Sequence, residues 1–183
     1  QMDVVKHPPD WLLEELSALY RYTLQNINTY NEQPVYVIDC QLKEGIYEPL
    51  MEGRLYISVR ELAIIRAEFY YPQHIVKKLS SRFITQKSAG TRVTPALLAY
   101  TVQYKSLDGR YYLSHAKGHL TFKVKSKKKL FSSTFDVTFE MATTRVDTQN
   151  VQKIKRSDRL KPDVILSKEM EGYDAAFWGN ATF

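Results

Sequence analysis

A single cysteine, Cys40, stands in the 183 residues. With one thiol, no disulfide can close within the chain and no cysteine-rich metal cluster can form. No apolar run approaches the roughly 20 residues that a membrane-spanning helix needs. No secretory leader with a basic start and an apolar middle is visible either. Seven glycines and seven prolines are few beside thirteen tyrosines and eight phenylalanines. So few breakers among so many aromatics argue for strands and against disorder. A Gly-x-Ser-x-Gly elbow and a glycine-rich phosphate loop are both missing, and "SAG" and "DGR" read only as turns. The 44% hydrophobic and 25% charged shares suit one globular domain with a real core. A net charge of +6 permits attraction to anionic surfaces without demanding a nucleic-acid role.

What is present is rhythm. "HPPDWLLEELSALY" predicts a helix over 10–19, with Asp10 as its cap, Glu14 favourable to the dipole, and Leu12, Leu13, Leu16 and Leu19 on a core face. From Tyr20 the period falls to two. Tyr20, Tyr22 and Leu24 share a face, a polar break follows at "NTYNEQP", and a second run from Val35 to Leu42 completes a hairpin with a long loop. There Tyr36, Ile38, Cys40 and Leu42 point one way and Asp39 the other. In "EGRLYISVRELAIIRAEFYYP", Leu55, Ile57 and Val59 answer Ile65, Ala67 and Phe69. Arg54, Arg66 and Glu68 lie together on the opposite face as candidate cross-strand partners.

Helical spacing returns over 73–84, where Ile75, Leu79 and Phe83 recur every four residues. "KSAGTRVTP" reads as loop, and two strands then meet at an Asp108-Gly109 turn, with Leu98, Tyr100, Val102 and Tyr104 on one face. A last hairpin sets Leu120, Phe122 and Val124 beside Phe131, Phe135, Val137, Phe139 and Met141, with Lys127, Lys128 and Lys129 in the bend. This predicts an α+β fold, mainly antiparallel, of seven or eight strands in consecutive hairpins with two helices on the apolar face. The sheet domain is expected to end near 146. A charged tail, 147–183, follows and is expected to pack on the domain through Val164, Ile165, Leu166, Phe177 and Trp178.

Reactive groups are scattered. His115 and His119 have the i, i+4 spacing that co-ligates zinc on a helix, but their flanks are strand-like. Four residues along a strand separate side chains by roughly 13 Å, beyond the reach of one ion. Lys117 shares their face, so solvated surface histidines are the expectation. Cys40 and Asp39, as strand neighbours, point apart and cannot act as a pair; the thiol reads as buried filler. No two carboxylates form a readable acid/base couple. The basic surface of Lys123, Lys125, Lys127, Lys128 and Lys129 is expected to be a solvated face, with an anionic lipid or glycan surface as its next reading. Nucleic acid is disfavoured, because base stacking needs aromatics among the cations and Phe122, Phe131 and Phe135 are expected on the opposite, buried face.

"VVKHPP", "EGRLYISVRELAIIRAEF", "GRYYLSHAKGHLTFKVKSKKKLFSSTFDVTFEMATT" and "DAAFWGN" resemble the C-terminal part of bacterial envelope proteins known as carboxypeptidase-like regulatory-domain-containing proteins. The likeness runs over nearly the whole chain in order. It implies export to the envelope of a Gram-negative bacterium, in the periplasm or at the outer membrane. It also implies that the chain is a C-terminal module of a longer protein. The β-sandwich that gives those proteins their name is not in this chain, so no peptidase activity, cofactor or catalytic residue follows from the likeness. The successive hairpins of 20–42 and 53–71 also resemble lipoprotein-carrier (LolA-type) domains. That likeness implies a curved half-barrel sheet with helices on its concave side and a cleft for acyl chains.

The expectation is therefore a non-enzymatic binding module. Leu16, Tyr22, Ile38, Ile57, Phe69, Tyr100, Phe122 and Phe139 are candidate lining residues for a lipid or lipoprotein acyl group. A stripe of such residues is more often plain core. The alternative is thus a filled interior, with Tyr56, Tyr70 and the lysine hairpin presented to an envelope protein; a hydrolase ranks third.

Overall fold

Period-two alternation becomes one open antiparallel sheet of eight strands. The computed structural model describes residues 2–84, 88–127, 130–149 and 151–159. The strands are β1 (Tyr20–Leu24), β2 (Asn28–Tyr30), β3 (Gln33–Leu42), β4 (Glu52–Ser58), β5 (Ile64–Tyr70), β6 (Thr91–Leu107), β7 (Arg110–Ser126) and β8 (Ser133–Ala142). Their order is β1-β3-β4-β5-β6-β7-β8, with β2 also paired to β3. Two short helices, α1 (Gln73–Val76) and α2 (Ser80–Phe83), are joined by a 3-10 turn at Lys77–Leu79. The α+β class with a curved sheet of consecutive hairpins is the one the sequence predicts. The chain divides into two units, 1–146 and 147–183.

The sheet's apolar face is covered in two places. Trp11 and Val4 are buried with Tyr20, Cys40, Leu55, Ala67, Phe69, Val102 and Ala116, and Leu12, Leu16 and Leu19 pack against this cluster. Ile75, Val76 and Leu79 of the helical stretch are buried with Tyr71 and Leu98. Tyr20 donates to the Met51 carbonyl at 2.8 Å, and the Met51 amide donates to the Asp10 carboxylate at 3.2 Å. These bonds tie the N-terminal segment to the loop before β4.

Four local expectations need correction. The stretch 10–19 is not one α-helix but two 3-10 turns, Asp10–Leu12 and Glu14–Leu19, broken at Leu13, whose backbone is extended. So short a segment cannot repay helix nucleation, and tertiary packing of Trp11 and the leucines decides its shape. Asp10 accordingly accepts from Met51 instead of capping. The "NTYNEQP" break is not a long loop. β2 lies inside it, and Asn31 and Glu32, at φ 48° and 63°, make the two-residue turn into β3. Two successive positive φ values suit the twist of a tight hairpin. The same holds at Asp108 and Gly109, φ 51° and 73°, where the sequence predicts the turn.

"TRVTP" belongs to β6 rather than to a loop, because β-branched Thr91, Val93 and Thr94 favour strand and Pro95 falls at a register shift. Another shift, opposite Tyr56 and Ile57, turns Ile65 to the other face. There it is buried with Val35 and Val37, while Ile64 takes the inner position. In the second unit, Arg156–Asp158 form a 3-10 turn, and Arg159 donates to the Ile154 carbonyl at 3.2 Å. The tail anchors Val164, Ile165, Leu166, Phe177 and Trp178 lie outside the described residues.

Candidate functional site

β7 and β8 pair without a register shift: Ala116 opposite Met141, Gly118 opposite Phe139, Leu120 opposite Val137 and Phe122 opposite Phe135. Since Leu120 and Gly118 in turn face Leu98 and Tyr100, all four β8 side chains point to the sheet's apolar side. They are nonetheless open to solvent: Phe135 is 54% exposed, Val137 44%, Phe139 38% and Met141 55%. Phe131, in the turn before β8, is 83% exposed. The expectation that Phe131 and Phe135 are buried is thus corrected. Alternation fixes which way a side chain points, but a cover is needed to bury it, and the helical stretch reaches only as far as Leu120 and Phe122.

The result is an apolar shelf. Its floor is Leu120 and Phe122, its outer rim is β8, and its inner wall is the cluster around Leu79 and Phe83. Gly118 makes room for it. A Cβ there would collide with the ring of Phe139, so the missing side chain lets Phe139 lie flat across β7.

The eight predicted lining residues do not form one cleft. Leu16, Ile38 and Ile57 are partly buried against the first cluster, to which Phe69 belongs. Tyr100 stacks on Phe69 with ring centroids 5.3 Å apart and touches both clusters. Tyr22 is 44% exposed at the sheet's other end and donates to the Trp11 carbonyl at 3.0 Å. Tyr100, Phe122 and Phe139 fall at or beside the β7–β8 shelf. Between these two ends, Trp11 lies against Gly53 and fills the space. None of the eight lines the cavity of about 570 Å³ formed by Asp3, Ile64, Tyr104, Tyr111, Leu113 and neighbouring residues. Nor do they line a cavity of about 560 Å³ between Ser88–Arg92 and Lys125–Lys127.

Apart from the buried Val35, Val37 and Ile65, the opposite face is polar and internally paired. Arg54 donates twice to Asp39, at 2.5 and 3.2 Å, and Arg66 bonds Glu68 at 2.6 Å beneath the rings of Tyr30 and Tyr56. Lys117 meets Glu140 at 2.6 Å, and the same carboxylate lies 3.4 Å from His115. The Lys117 ammonium holds the Glu140 carboxyl below the usual carboxylate range. His119 faces Asp136 at 3.7 Å, so the two histidines address different carboxylates. Lys123, Lys125 and Lys127 are exposed; Lys128 and Lys129 lie outside the described residues.

Among the described residues no three His, Cys, Asp or Glu side chains gather where they could hold a metal ion. Cys40 is fully buried, and burial followed by the neighbouring Asp39 charge pushes its thiol up to about 12. It therefore stays a neutral, inert thiol at ordinary pH.

Comparisons with protein-family models, curated proteins and solved structures return no match.

The functional reading therefore rests on the residues themselves. The feature that sequence reasoning missed is the open inner face of β8. A signal for it existed: β8 is the second strand of the last hairpin, and no predicted helix comes after it to provide a lid. Among the described residues, no helix is long and apolar enough to cross a membrane.

Proposed function

We propose that the chain is a non-enzymatic module of the bacterial cell envelope that binds an apolar group, a lipid or lipoprotein acyl chain, on the inner face of β8. The observation that carries this reading is the row Phe135, Val137, Phe139 and Met141, all on the apolar side and all 38–55% exposed. Contiguous apolar surface of this kind marks interaction sites. Its position beside the helical stretch suits a sheet–helix site shifted to the sheet's end. The resemblance to Gram-negative envelope proteins supports a periplasmic or outer-membrane location. The filled centre around Trp11 favours a second reading, a protein-interaction module that presents the same face to an envelope partner.

The test is titration of the full chain with a fluorescent fatty acid. Val137→Asp places a charge in the middle of the row and is expected to weaken binding by about tenfold or more with the melting temperature nearly unchanged. Ala63→Phe, which obstructs the cavity beside Ile64, should leave binding intact. Equal affinity for Val137→Asp and wild type would overturn the shelf as the site. Absence of fatty-acid binding altogether would leave the protein-interaction reading in its place.

A further inference from the structure

β8 has a second unpartnered feature besides its inner face: its outer edge. It ends the strand order, with β7 as its one partner among the described residues. Proteins normally guard such an edge with lysine, proline, a bulge or an inward charge, or by keeping it short. β8 carries two acids, Asp136 and Glu140, but uses none of these. "STFDVTFEMA" is ten residues long and holds no lysine, proline or glycine; its pairing shows no register shift, and its acids sit on the polar face. The other end of the sheet is β1, only five residues.

From this edge we infer that β8 pairs antiparallel with β8 of a second copy of this chain, about a two-fold axis at Val137. The inference goes beyond the acyl-binding reading, since it uses the backbone edge and the polar face rather than the apolar one. A two-fold axis perpendicular to the sheet keeps the apolar sides together only if odd-numbered residues meet odd and even meet even. Centred on Val137, Phe135 lies opposite the second copy's Phe139, Asp136 opposite its Thr138 and Thr134 opposite its Glu140. No like charges stand directly across. Moving the axis to Asp136 sets that carboxylate against its own copy; moving it to Thr138 sets Asp136 against Glu140. Like charges directly opposite destabilise a strand pair; axes at Phe135 or Phe139 also avoid them but pair less of β8, so Val137 gives the longest ladder free of them. Within each chain Glu140 stays paired to Lys117, which limits the repulsion carried into the dimer. The pairing also makes the two apolar shelves continuous across the axis.

The register makes a charge test possible at Thr138, a residue on the polar face. Sedimentation velocity of the full chain over a concentration series should show wild type moving from 21.3 kDa toward twice that mass. Thr138→Asp sets two carboxylates opposite each other twice by symmetry, and should weaken the dimer by about tenfold. Thr138→Lys meets the second copy's Asp136 and should tighten it. Inside one chain Thr138 faces His119 and lies between Asp136 and Glu140 on the same face of β8, so the melting temperature of each variant is measured beside its dimerisation to separate local from intermolecular effects. Thr134→Asp lies opposite the second copy's Glu140 but faces Lys123 within its own chain, so it is an independent weakening variant without like-charge repulsion across β7–β8, should Thr138 variants fold poorly.

A chain monomeric at all concentrations overturns the inference, as do Asp and Lys variants weakened alike. Slow exchange of the β8 amides that point away from β7, in a monomer, would show that the chain's own residues cover the edge, and would overturn it equally. Fatty-acid affinity should be unchanged in the Thr138 variants, so a lost dimer and a lost ligand site are separable results.

Discussion

Trp11→Ala is expected to remove about 3–5 kcal/mol of folding stability, the range for truncating a buried aromatic where the surroundings cannot collapse. Trp11 is fully buried, and it is the element of the N-terminal segment that seals the sheet's apolar face above β4. A domain of this size has total stability on the order of 5–15 kcal/mol, so the variant should be marginal at 37 °C. Urea unfolding should show a much lower midpoint at a similar slope. Trp11→Phe should cost far less than Ala. The indole N–H is buried with no hydrogen-bond partner among the described residues, so phenylalanine keeps most of the packing and removes an unsatisfied donor. A loss below about 1 kcal/mol for the alanine variant would mean that the N-terminal segment is not part of the core.

Gly53→Ala should destabilise by about 1–3 kcal/mol although it adds a single methyl group. A Cβ at Gly53 would lie 2.5 Å from Trp11 Cε2 and 2.6 Å from Cζ2, where neither a buried indole nor the sheet backbone can yield cheaply. Gly53 pairs with Cys40 on one side and Phe69 on the other, so β4 cannot shift without disturbing both neighbours. The cause is the indole, which gives the prediction its sharpest form. In a Trp11→Ala background the same glycine substitution should cost almost nothing, and the two losses should be strongly non-additive. Additive losses would show that Gly53 is needed for its backbone freedom and not for the space it leaves.

Alternation makes most of the fold legible. Ile38, Leu55, Ala67 and Phe69, or Leu98, Tyr100 and Val102, can be put on one face by counting in twos, and Asp108-Gly109 announces its own turn. Three things are not legible, each for a physical reason. Ile65 changes face because one extra residue is inserted opposite Ile57, and a bulge leaves no mark in a run of two isoleucines. The segment 10–19 has helical spacing but is too short to hold an α-helix against the pull of Trp11 toward Gly53. Phe135 and Phe139 read as core because apolar residues on an inner face usually are; only the three-dimensional reach of the helical stretch shows that its cover stops at Phe122. Counting in twos gives a face but not a neighbourhood, which is why the eight lining residues spread out: the sheet is wide enough to separate Tyr22 from Phe139 by six strand positions in its order.

The most direct measurement is methyl NMR of the full chain during titration with myristate. Val137 and Met141 methyl resonances should shift progressively, while those of Val35 and Val102, both fully buried elsewhere in the sheet, stay fixed. Shifts confined to residues around Ile64 and Leu113, or none at Val137 and Met141, would contradict an open acyl-binding face on β8.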